Sequence, residues 1–95
     1  MAGLDGEWDV RRVSGALPPL AGVRKRVRGD RGETVLPGGL IGIPFRVRGD
    51  ELRYRPPLAM VVDVLDAEPD GERRGGTTTV FGRPVGRFEL VRRGR

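Results

Sequence analysis

Three features of the sequence predict an all-β fold, a small antiparallel up-and-down barrel of about eight short strands. Apolar and charged side chains alternate with period two over much of the chain, the spacing that sends successive residues to opposite faces of a sheet. No window of 11 or more residues carries a sustained apolar stripe at i, i+3, i+4 and i+7, and Gly or Pro interrupts nearly every candidate helix. The alternating runs are joined by short Gly-Asp connections of the kind that reverse neighbouring strands into antiparallel pairs.

Taken in order, the strands are expected near residues 6–14, 22–28, 33–36, 43–48, 51–55, 58–66, 77–82 and 85–93. In the second, Val23, Lys25 and Val27 alternate with Arg24, Arg26 and Arg28. Phe45 and Val47 alternate with Arg46 and Arg48 in the fourth, and Leu52 and Tyr54 with Arg53 and Arg55 in the fifth, so each run has one apolar and one guanidinium face. The sixth, around Met60-Val61-Val62-Asp63-Val64-Leu65, is the most apolar; the last places Phe88, Leu90 and Arg92 on one face. Gly29-Asp30-Arg31-Gly32 and Gly49-Asp50 supply the positive φ that tight hairpins need, and Asp70-Gly71 marks another reversal. Longer loops fall at residues 14–21 and 38–42, and Pro56-Pro57 separates two strands because proline cannot donate to a ladder. A meander of this kind has two exposed edges unless it closes. Closure within the chain is the economical solution, and an incomplete barrel completed by a homodimer is the alternative.

The 95 residues make one domain, 1–95. A chain this short buries only about 60 to 65% of its unfolded surface, so the core is thin. Cysteine is absent, which leaves the fold to packing and strand pairing. The first residues show no basic stretch followed by an apolar run, and no segment approaches 18 consecutive apolar residues, so the expectation is a cytoplasmic chain with no membrane span. Net charge is +5, carried almost entirely by arginines spread among 13 acidic residues, a skew that matches the codon use of a GC-rich genome.

Leu4-Asp5-Gly6-Glu7-Trp8-Asp9-Val10 places a Gly-x-Trp at the head of the first strand, ahead of a proline-containing loop and a meander of strands. The final strand carries Arg92 on the face of Phe88 and Leu90. This pattern resembles the lipocalin and broader calycin superfamily. The resemblance implies that Gly6, Trp8 and Arg92 form a structural plug at one end of the barrel, with the arginine across the indole. A cation placed so over a ring is worth about 0.5 to 2 kcal/mol. The resemblance also implies that a small apolar molecule is bound.

The rest of the sequence argues against catalysis. Histidine is absent, which removes the commonest general acid/base and the usual ligand of zinc or haem, so neither metal nor cofactor is expected. Ser14 is the only serine and has no base beside it. Glu7 and Asp9 share a face as acid/base pairs do, yet cross-strand ion pairs with Arg24 or Arg26 are the simpler reading. Asp63 lies with Val61 and Leu65, opposite Met60, Val62 and Val64; if that face is buried, Asp63 needs an arginine partner. Arg-Val-Arg-Gly-Asp occurs at 26–30 and again at 46–50, where Gly-Asp after an alternating strand reads as a turn. The function expected is non-catalytic binding of a small hydrophobic ligand between Val10, Val27, Phe45, Val47, Tyr54, Met60, Val62, Phe88 and Leu90, which would equally serve as an ordinary filled core. The alternatives are a basic nucleic-acid-binding module using the arginine faces, disfavoured because the aromatics alternate onto the other face, and a dimeric interaction domain.

Overall fold

The computed structural model describes residues 4–18, 20–67 and 71–93. Eight strands form: β1 (Gly6–Gly15), β2 (Arg24–Arg28), β3 (Arg31–Val35), β4 (Gly42–Arg48), β5 (Glu51–Tyr54), β6 (Val61–Leu65), β7 (Arg73–Val80) and β8 (Arg83–Arg92). Each pairs antiparallel with the next, and β8 pairs back onto β1 to close the barrel. No helix occurs among the described residues, and so none is long and apolar enough to cross a membrane.

Closure happens within one chain. β1 and β8 pair from Trp8↔Arg92 to Gly15↔Gly86, with a bulge between Arg12 and Ser14. The alternative of an open barrel completed by a second copy is therefore corrected: every described strand has a partner on both sides. The two Arg-Val-Arg-Gly-Asp copies both end in two-residue hairpins, β2–β3 and β4–β5, where Gly29 and Gly49 adopt φ of 63° and 61°. Asp70 of the expected Asp70-Gly71 reversal and Pro19 of the expected long loop lie outside the described residues.

Strand bounds differ from expectation where local chemistry competes. β6 begins at Val61 rather than at 58, because residues 55–60 fold into successive turns, with Leu58 N–H donating to Arg55 O and Val61 N–H to Leu58 O. β7 begins at Arg73 rather than at 77 and runs straight through Gly75-Gly76, residues that normally weaken a strand. Gly76 pairs with Phe88, and the phenyl ring lies where a Cβ on Gly76 would stand. Gly32 and Phe45 repeat the arrangement between β3 and β4. A barrel this narrow must alternate large and small residues to fit its rings inside.

The meander puts alternate connections at opposite ends. One end carries the β2–β3 and β4–β5 hairpins, the start of β1 and the end of β8; at the other lie the end of β1, the starts of β2 and β4, the end of β5, the start of β6 and the β7–β8 hairpin. Trp8 seals the first end. It is 2% exposed, its Nε1–H donates to Leu4 O at 2.8 Å, and the Arg92 guanidinium lies 4.1 Å from the ring centroid. Arg92 in turn donates from Nε to Gly71 O and from Nη1 to Asp5 O, each at 2.7 Å. A Cβ at Gly6 would stand 2.7 Å from Arg92 Nη1, and the φ of +122° at that residue is one that L side chains rarely adopt, so only glycine fits the first position of Gly-x-Trp. Beside Trp8, the packed core holds Val27, Phe45, Leu52, Leu65, Phe88 and Leu90.

Candidate functional site

The packed core fills only one half of the barrel. Toward the second end the interior opens into a cavity of about 220 Å³. Its walls are apolar: Val10 and Val23 from the barrel, Leu17 and Leu20 from the β1–β2 connection, Ile43, Leu58, Val61 and Phe88. Its floor is polar, made by Lys25, Thr34, Tyr54, Asp63 and Thr78.

Strand register builds that floor. Lys25 pairs with Thr34 across β2–β3, Leu52 with Asp63 across β5–β6, and Asp63 with Thr78 across β6–β7, so these side chains all point inward. Lys25 and Asp63 are each only 4% exposed, and a charge so buried needs a partner. Each has one: Lys25 Nζ stands 3.2 Å from Asp63 Oδ2. Its other two protons go to Thr34 Oγ1 at 2.7 Å and Tyr54 OH at 2.9 Å. Thr78 Oγ1 donates to Asp63 Oδ1 at 2.8 Å, and the Tyr54 hydroxyl donates to Oδ2 at 3.3 Å. The rings of Phe45 and Tyr54 lie 5.3 and 5.5 Å from the ammonium, within cation–π range. Among the described residues no buried side-chain nitrogen or oxygen lacks a hydrogen-bond partner.

Burial is the largest single influence on Lys25 and pulls its proton off, but Tyr54 and Asp63 together outweigh it, and the ammonium is held above its ordinary value. Burial likewise pushes the Tyr54 phenol up, against the pull of Lys25 and with the help of Asp63. The floor thus pairs one cation with one carboxylate and keeps its hydroxyls protonated. Thr34 Oγ1 and Tyr54 OH stand 2.6 Å apart, and either can donate. That bond uses one hydroxyl proton. With Thr34 donating it, the Tyr54 proton goes to Asp63 at 3.3 Å, the longest hydrogen bond of the floor.

Of the residues expected to hold a ligand, Val10, Tyr54 and Phe88 line the cavity. Val27, Phe45 and Leu90 belong to the packed core, with Val47 packed against it. Met60 and Val62 require correction. Val62 pairs with Arg53 and Thr79 on the outward side of β6, and Met60 sits in the turn before that strand. The inward side is the Val61-Asp63-Leu65 face, and the partner Asp63 requires is a lysine, not an arginine. Leu17, Leu20, Ile43, Leu58, Thr34 and Thr78 were not foreseeable as a group, whereas Lys25 and Asp63 carried a signal. One is the only lysine, set in an apolar alternation; the other is the only acid in the most apolar strand.

Outside the barrel, Glu7 takes Arg24 at 3.8 Å and Arg26 at 3.3 Å, Asp9 takes Arg93 at 3.0 Å, and Glu51 takes Arg53 at 2.6 Å. Glu7 and Asp9 therefore act as ion-pair partners on the surface. No group of three potential metal-ligating side chains occurs among the described residues. Comparison of the chain with protein-family models, curated proteins and solved structures gave no match.

Proposed function

We propose that this chain is a lipocalin-like binding protein that holds a small, uncharged, largely apolar molecule in the open half of its barrel and does no chemistry on it. The observation that carries this reading is an apolar cavity whose floor is already charge-balanced. An ionised guest would be a third buried charge with no counter-ion left to meet it. A neutral guest with one oxygen atom can instead compete for the Tyr54 hydroxyl proton, whose bond to Asp63 is long at 3.3 Å. At about 220 Å³ the space exceeds the roughly 150 Å³ apolar cavity that admits benzene and falls below the roughly 300 to 1,000 Å³ of drug-sized sites. Monocyclic phenols, alcohols and ketones have the matching size and polarity. The closed eight-strand meander and the stack of Arg92 on Trp8 support the lipocalin-like part of the reading.

The test is an NMR titration that follows the methyl groups of Val10, Leu58 and Val61 with ethylbenzene, acetophenone and benzoate. Acetophenone is expected to bind about 2- to 12-fold more tightly than ethylbenzene, the worth of one neutral hydrogen bond. Benzoate is expected not to bind. If all three leave the methyl signals unmoved, the binding function is wrong; if benzoate binds best, the neutral-ligand assignment is wrong.

A further inference from the structure

The large hydrophobic side chains left exposed among the described residues are Val13, Leu40, Ile41, Leu58 and Phe81. All five lie at the cavity end. Val13 is near the end of β1, Leu40 and Ile41 are in the β3–β4 connection, Leu58 is between β5 and β6, and Phe81 is at the tip of β7–β8. Leu40 is 95% exposed and Phe81 79%.

Charge divides along the same axis. None of the 13 acidic residues falls in segments 11–24, 35–43, 54–62 or 79–88, which build the cavity end. That end carries Arg11, Arg12, Arg55 and Arg83, all exposed and, among the described residues, without an ion pair. The opposite end holds Asp5 and the hairpin residues Asp30 and Asp50, with Asp66 just past β6. The molecule is therefore polarised, with a cationic, apolar-tipped mouth and an acid-bearing base.

Phe81 adds an independent mark. Among the described residues it is the one non-glycine residue with positive φ, at 51°, in a two-residue hairpin whose second residue is Gly82. Asn or Gly suits that position far better than phenylalanine, whose ring gains nothing from the fold at 79% exposure. A strained aromatic held out into solvent points to a role outside the barrel.

We infer that the cavity end docks on an anionic lipid bilayer, with Phe81, Leu40 and Ile41 entering the headgroup region and the four arginines on lipid phosphates. Phe81, Leu58 and the Leu40-Ile41 pair stand on three separate connections of the rim. Separate points suit insertion into a fluid interface; a protein partner needs a continuous complementary surface. The field of the polarised molecule turns the mouth toward negative charge. In this pose the cavity faces the acyl region, whether or not it is filled.

Co-sedimentation of the whole chain with vesicles of phosphatidylcholine alone, or of phosphatidylcholine mixed with phosphatidylserine, tests this. Sedimentation is expected with the anionic vesicles only, decreasing as salt rises. Phe81→Asn with Leu40→Ser is expected to reduce the bound fraction at least about tenfold, the burial of one large apolar side chain. Neither change threatens folding, because asparagine suits the turn and Leu40 packs on nothing; a circular dichroism spectrum matching the parent checks this. The proposal is overturned if anionic vesicles leave the chain in the supernatant at low salt. It is also overturned if the double variant sediments as well as the parent, which would leave bare charge attraction. A monomer–dimer equilibrium that the double variant abolishes, with vesicles ignored, would give the face to a second copy. Retention on polyglutamate under the same conditions would give it to an acidic protein.

Discussion

Lys25 is the only lysine among 18 basic residues, and its surroundings explain why arginine does not stand there. An ammonium has three protons, and the floor offers three acceptors, Thr34 Oγ1, Tyr54 OH and Asp63 Oδ2. A guanidinium has five donors fixed in a plane, a geometry that does not match three acceptor atoms arranged around one ammonium, and the longer side chain would enter the cavity. Lys25→Arg is thus expected to be destabilising despite keeping the charge. Lys25→Met strands Asp63 in the interior and is expected to cost about 3 to 5 kcal/mol, the penalty of breaking a buried pair by removing one partner. Removing both charges, as Lys25→Met with Asp63→Leu, is expected to recover most of that loss. Urea midpoints of the three variants give the comparison. A double variant no more stable than Lys25→Met would show that the two groups do not compensate one another.

At the level of elements, β7 shows how tertiary context overrides propensity. Alanine is favoured over glycine by about 0.5 to 1 kcal/mol in a strand, so Gly76→Ala looks stabilising on paper. In the barrel a Cβ there would stand 2.5 Å from Phe88 Cζ and 2.8 Å from Cε1. The substitution is therefore expected to lower stability by about 1 to 3 kcal/mol, the cost of overpacking, read from the urea midpoint. The same contest decides what the sequence could and could not tell. Alternation fixed the faces of β2, β4, β5 and β8, where arginines or glutamates mark the outside. It failed on β6, because hydrophobicity ranks Met60, Val62 and Val64 above a face containing aspartate. Only Lys25, far along the chain and brought opposite by closure, makes the Asp63 face the inward one. The cavity walls from Leu17, Leu20 and Leu58 were illegible for a related reason: loop side chains have no periodicity, and their positions follow from the barrel rim they fold over.

The pH response belongs to the whole molecule. Without histidine or cysteine, no side chain has an ordinary pKa between about 5 and 8. Stability is therefore expected to be flat through neutrality. Above that range two buried groups act together. The Lys25 ammonium and the Tyr54 hydroxyl both hold their protons more tightly in the fold than in the unfolded chain, where they titrate near about 10.4 and 10. As pH rises past those values the unfolded chain releases protons that the folded chain keeps. Fewer protons on the unfolded side means that stability falls with pH. The stabilisation is fully present below about pH 10 and is lost as pH climbs through the raised values of the folded state. On the acid side, the Arg87 hydrogen bond holds Asp66 below its ordinary value, so a contribution present near neutrality is lost as pH falls below about 4. Asp66 is exposed, and solvent screening keeps that contribution small. Urea midpoints measured from pH 3 to 12 are expected to trace a broad plateau with a steep alkaline edge and a shallow acid one. Tyr54→Phe, which removes one of the two alkaline groups, is expected to make the alkaline edge less steep; an edge of unchanged slope would show that the Tyr54 hydroxyl contributes nothing to it.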